Sequence, residues 1–132
     1  MRQLLVIIFA IAGFAGCTRD EPTVTEAQRV LSAYFDALRA GDTNALLARY
    51  SPKFFRQSKR SRAQLAESLA QLHTKGLRDY TIVHRELRNS GGKLLVRLSC
   101  RSRYGASSFE EDFELYRAAG STNFMITRHD FD

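Results

Sequence analysis

The 132 residues hold no tryptophan, only two cysteines and only two prolines, and acidic residues are outnumbered by basic ones, 14 to 20. Each shortage excludes something. There is no Gly-rich phosphate loop and no serine nucleophile elbow, so the common phosphate-cradling and acyl-transfer motifs are missing. His73, His84 and His129 lack the spacing of a metal site. No cofactor or metal is expected. No repeat or low-complexity run interrupts the chain. The apolar run of residues 4–16 is too short to cross a bilayer, and Asp20 and Glu21 follow it closely.

What is present suits one small folded domain. Aromatic residues make up 11% and charged residues 26%, a balance of globular proteins rather than disordered ones. The net charge of +6 suits contact with anionic surfaces or simply a soluble, solvated exterior. The opening MRQLLVIIFAIAGFAGC has the cationic start, apolar middle and small-residue end of a secretory leader. Export removes nucleic acid as an expected partner.

Residues FAGC, 14–17, resemble the bacterial lipoprotein box, with Phe14 in the place of its usual Leu. The resemblance implies a diacylglyceryl group on Cys17, cleavage before it, and acylation of the new amino group. Thr18, where inner-membrane lipoproteins carry Asp, implies an outer-membrane lipoprotein facing the periplasm. Ordinary cleavage after Ala15 is the alternative. The expected organisation is a leader over 1–16, a lipidated Cys and tether over 17–23, and an α+β domain over 24–132. With Cys17 lipidated, Cys100 is left as a free thiol on the apolar face of an expected strand, buried and inert.

Thr23 and Glu26 form a capping-box pattern, and Ala27, Val30, Leu31, Tyr34, Phe35 and Leu38 follow as a helical stripe ended by Gly41. Asp42 is expected to cap a second, short helix that Pro52 stops. Ser61 and Gln64 repeat the capping box before a third helix with Leu65, Leu69 and Leu72, closed by Gly76. The segment KFFRQSKRSR between them interleaves aromatic and basic residues. It either packs its phenylalanines under the sheet or rests on an anionic membrane.

Beyond Gly76 the period turns to alternation over 78–89, 93–104, 108–117 and 122–131, with turn signals between segments, which predicts a four-stranded antiparallel meander. A four-residue loop at 105–108 predicts Arg103 opposite Glu110, Arg101 opposite Asp112 and Cys100 opposite Phe113. A loop at 118–121 then places Arg128 opposite Glu111. Ser102, Glu111, Arg128 and Asp130 gather at the polar end of the inner face as a candidate site for a small polar or anionic ligand.

The stretches AYFDALRAGDTNALLARYSPKFF and NFMITRHDFD, with the helices-then-meander order, resemble the nuclear-transport-factor-two-like superfamily, also called ketosteroid-isomerase-like; a cystatin-like sheet is the neighbouring architecture. The resemblance implies N-terminal helices packed on a curved, cone-like sheet. It also admits an isomerase or dehydratase, with Asp130 or Glu111 as base and Tyr34 or Tyr104 as oxyanion donor. The expected function is a non-catalytic ligand-binding or envelope assembly module, with the enzyme as alternative and a homodimer through the sheet as a third reading. The expected companions are a bilayer, through lipidated Cys17, and a small ligand or an envelope protein.

Overall fold

Apolar side chains three and four residues apart give the first helix one face to bury. In the structure, a computed structural model describing residues 21–131, α1 (Glu21–Ala40) turns that face onto the sheet. Ala27, Leu31, Tyr34, Phe35 and Leu38 are fully buried. Each large apolar side chain so covered contributes about 1.5–3 kcal/mol. Cys17 and the leader lie outside the described residues. Thr23 lies within α1 rather than capping it.

Gly41 ends α1 at φ +68, a left-handed conformation that suits glycine. A Cβ there would lie 2.8 Å from the His73 ring, so glycine also makes room. His73 Nδ1 donates to the Leu38 carbonyl at 2.8 Å, satisfying one of the acceptors that the helix end leaves open.

Asp42 caps α2 (Thr43–Leu47), as expected. Pro52 does not merely stop it. It opens a further helix, α3 (Pro52–Ser58), capped by Ser51, at the first-turn position where a missing N–H is harmless. The Ser61–Gln64 capping box forms and starts α4 (Arg62–Lys75). Phe54 is buried and Phe55 half-buried, with the Arg62 guanidinium 5.4 Å from the Phe55 ring centre. The aromatic residues of KFFRQSKRSR therefore pack inward, while Arg56, Lys59 and Arg60 are exposed.

β1 (Leu77–Ser90), β2 (Lys93–Tyr104), β3 (Ser107–Arg117) and β4 (Met125–Phe131) form one antiparallel sheet in sequence order. The fold is α+β, with helices on the concave face of a curved sheet. On β2 every second residue, Leu94, Val96, Leu98, Cys100, Ser102 and Tyr104, is buried, while Arg97, Arg101 and Arg103 are exposed. Irregularities in β1 and β4 supply bends that help a sheet curve.

The β2–β3 register differs from the expected one by two residues. Gly105 takes φ +55, and the loop is only Gly105-Ala106, because Tyr104 pairs with Ser107. Arg101 therefore faces Glu110, Cys100 faces Glu111 and Leu98 faces Phe113. Arg103 finds its carboxylate on β1, at Asp79. A two-residue shift preserves which face each side chain takes, so the core is as expected while the partners change.

Candidate functional site

The decisive local feature is an irregularity in β4. Up to Ile126 the strand's facing is as expected, but its register is shifted by two residues, with Ile126 opposite Leu115 rather than Phe113. Between Leu115 and Glu114 the pairing skips Thr127, and Arg128 is next opposite Glu114. An extra residue in a strand reverses the facing of everything after it. The Thr127 hydroxyl donates to the Glu114 carbonyl at 3.2 Å.

The shifted register and the extra residue together leave Phe131 opposite Glu111, so the expected Arg128–Glu111 ion pair does not form. Arg128 and Asp130 are exposed and bridge to each other at 2.6 Å. His129 takes the inward place. Of the expected site, Ser102 and Glu111 are brought together inside the cone, and Arg128 and Asp130 are left outside.

Inside, four side chains form a hydrogen-bonded line. His129 Nε2 donates to Glu111 Oε1 at 2.8 Å, and Tyr104 donates to Glu111 Oε2 at 2.7 Å. The Tyr50 hydroxyl lies 2.8 Å from His129 Nδ1. With Nε2 holding a proton toward Glu111, the line runs unbroken from Tyr50 through His129 and Glu111 to Tyr104. Glu111 is fully buried, and the His129 side chain is only 2% exposed.

Burial pushes the Glu111 carboxyl upward, but hydrogen bonds from His129 and Tyr104 and the His129 charge more than offset it, holding it below its ordinary value. Glu111 is thus an ionised carboxylate in the protein interior. Burial pushes the Tyr34, Tyr50 and Tyr104 hydroxyls well up, so all three stay protonated at neutral pH. Burial likewise pushes the Cys100 thiol up to about 12, consistent with the inert thiol expected there. His84 is exposed on β1.

Aromatic rings fill the space around this line. His129 stacks on Phe113 at 4.1 Å, and Tyr34 meets His129, Phe35 and Phe113 edge-on at 5.0–5.6 Å. Outside it, between α3 and β4, a cleft of about 560 Å³ is lined by Phe54, Gln57, Arg60, Arg128, His129 and Asp130. His129 thus lies at the inner end of the cleft with its ring covered, as one half of a buried carboxylate pair.

Tyr50 arrives from the segment between α2 and α3. Ile126 N–H donates to the Arg49 carbonyl at 2.8 Å, and Ser51 N–H donates to the Ile126 carbonyl at 2.9 Å. This single parallel bridge holds the segment on β4. Neither Tyr50 nor His129 was expected at the site. One signal pointed to the bulge: strict alternation from Ile126 puts Arg128 and Asp130 into an otherwise apolar interior.

No family model and no curated protein matches the chain. Solved structures do. The chain is similar to a variant of the chain Rd1NTF2_05 at TM-score 0.57 and 18% identity, over 80% of this chain and 96% of that one. It is similar to Bd1075 of Bdellovibrio bacteriovorus at TM-score 0.59 and 12% identity, over 82% of this chain but only 40% of the longer one. An NTF2-like protein of Streptomyces avermitilis, described as a candidate dehydratase, matches at TM-score 0.54 and 12% identity, over 85% of this chain and 96% of that one. At such identities the likeness is one of fold, and that fold is NTF2-like, helices laid on an open, curved, four-stranded antiparallel sheet.

Proposed function

We propose that the chain is a non-catalytic binding or assembly module of the bacterial envelope, held to a bilayer by lipid on Cys17 and facing the periplasm from the outer membrane. The observation that carries the non-catalytic reading is the saturation of the buried line. Both Glu111 oxygens are engaged, both His129 nitrogens are engaged, and Glu111 has no exposed surface. A general base must come within about 3 Å of the proton it takes, and this carboxylate meets only its own neighbours. The leader and the FAGC box support the anchor.

Metabolic labelling with a fatty acid tests the anchor. The parent incorporates label, and Cys17→Ala incorporates none; label retained in that variant contradicts lipidation. Native mass spectrometry of the full-length protein from detergent tests the binding module, which is expected to carry a small ligand or a protein partner.

A second reading, an isomerase- or dehydratase-type enzyme, is favoured by one observation. The cleft between α3 and β4 ends at His129, whose ring is bonded to the Glu111 carboxylate behind it and would be an oriented general base if that 2%-exposed ring were uncovered. Here Tyr50 must leave Nδ1 before His129 can take a proton from a substrate. Turnover of a candidate substrate, abolished in His129→Gln while the fold persists, would establish the enzyme and overturn the non-catalytic reading.

A further inference from the structure

Among the described residues, three buried side-chain polar atoms have no hydrogen-bond partner: Tyr34 Oη, Ser102 Oγ and Arg49 Nε. The first two are neutral hydroxyls inside the cone. The third belongs to a guanidinium, which stays charged at any pH a protein meets. The Arg49 side chain is only half-buried, but its Nε is a covered donor without an acceptor, a costly arrangement to keep.

Arg49 lines a cleft of about 410 Å³ with Glu26, Arg29, Thr122, Asn123 and Phe124. The cleft lies between the first half of α1 and the connection that follows β3. Its carboxylate is already taken, since Glu26 accepts from Arg117 at 2.7 Å. Arg117 also covers the Phe124 ring, 5.0 Å from its centre. Arg29 and Arg49 have no ion-pair partner among the described residues.

We infer that this cleft binds a phosphate-type oxyanion, with Arg49 and Arg29 as its charged anchors and Thr122 and Asn123 as neutral donors beside them. A carboxylate offers two oxygens in one plane, both of which a single guanidinium fork can engage, whereas a tetrahedral phosphate presents more oxygens, in directions that two cations can share. The volume suits a phosphate ester carrying a small substituent.

Two sources supply this chemistry, a phospholipid headgroup and a soluble phosphate. An anchor at Cys17 favours the headgroup. Residues 18–20, fully extended, reach at most about 11 Å, and α1 begins immediately after them with the cleft along its first half. The choice of source rests on the anchored reading proposed above; the oxyanion site itself does not.

The test follows the arginine Nε–H signals of isotope-labelled full-length protein by NMR. The protein is held in neutral detergent and titrated with inorganic phosphate, then placed in bilayer discs of phosphatidylglycerol. The Arg49 Nε–H signal is expected to shift saturably. Arg49→Lys, which keeps the charge and removes the fork, is expected to weaken binding about tenfold or more. Arg29→Gln, a change to an exposed side chain, is expected to weaken it as well and serves if Arg49→Lys fails to fold.

A shift with inorganic phosphate alone supports the site with a soluble source. A shift in the discs, whether alone or together with one in phosphate, supports it with the headgroup as a source. An Arg49 signal unmoved in both media overturns the inference, as does undiminished binding in both variants. Fatty-acid labelling of Cys17 is read separately, so loss of the anchor and loss of oxyanion binding are distinguishable.

Discussion

Tyr50 and Arg49 are neighbours in sequence, yet they serve two regions that treat their charged groups differently, although the cone also holds two unpartnered neutral hydroxyls, Tyr34 Oη and Ser102 Oγ. Tyr50 joins a buried line in which every charge and every ring nitrogen has a partner. Arg49 stands in an open cleft with its Nε unpartnered. Charged groups buried in proteins are nearly always paired, so a paired charge needs no ligand and an unpaired one asks for an explanation. Titratable groups sharing a pocket are a usual sign of function, but here the richer cluster is the closed one. The contrast teaches that the count of ionisable residues is a poorer guide to a site than whether their hydrogen bonds are already made.

The comparison breaks most visibly at His129. His129→Ala leaves the Glu111 carboxylate buried with its charge uncompensated, and urea unfolding is expected to show a loss of about 3–5 kcal/mol. Arg49→Met acts in the other direction. Removing an unpartnered donor is expected to raise stability by about 1 kcal/mol in the same assay while abolishing phosphate binding.

Acid sharpens the contrast. Glu111 has a folded-state pKa below its ordinary value of 4.5, so its contribution to stability is full above the unfolded value and is lost as pH falls through the depressed one. The stability difference between the parent and Glu111→Gln is therefore expected to be largest near neutral pH and to shrink below about pH 4.5. A difference that stays constant from neutral to acid pH would show that the carboxylate's charge is not what the network uses.

The smallest effect belongs to the outer pair. Arg128→Ala is expected to change stability by less than about 0.5 kcal/mol, because its bridge to Asp130 is made in water. A loss comparable with that of His129→Ala would place Arg128 in the network after all.

Much of the fold was legible from periodicity. The α1 stripe, the Ser61–Gln64 cap, the Gly76 stop and the four-stranded meander are set by local spacing and turn residues. The α3 helix escaped because Pro52 reads equally as the end of one helix or the first turn of the next. The register escaped because Gly105-Ala106 and Gly105–Ser108 both make acceptable loops, and faces alone cannot separate registers two residues apart.

The candidate site was half legible. Ser102 and Glu111 lie on a regular stretch of sheet, where alternation places them inward. Arg128 and Asp130 were misplaced because the extra residue at Thr127 reverses facing, and a bulge depends on what the partner strand and the Tyr50 segment require. Tyr50 reaches the site only through a tertiary bridge, which no local pattern encodes.

The most direct test of the central claim, that the inward pair is a working part of the fold, is a double-mutant cycle between Glu111 and His129. Stability is measured for the parent, Glu111→Gln, His129→Gln and the double variant at neutral pH. A direct interaction of this kind predicts a favourable coupling of about 1–3 kcal/mol. Additive losses, with a coupling indistinguishable from zero in variants that all fold, would contradict the account and return the pair to the status of an active-site candidate.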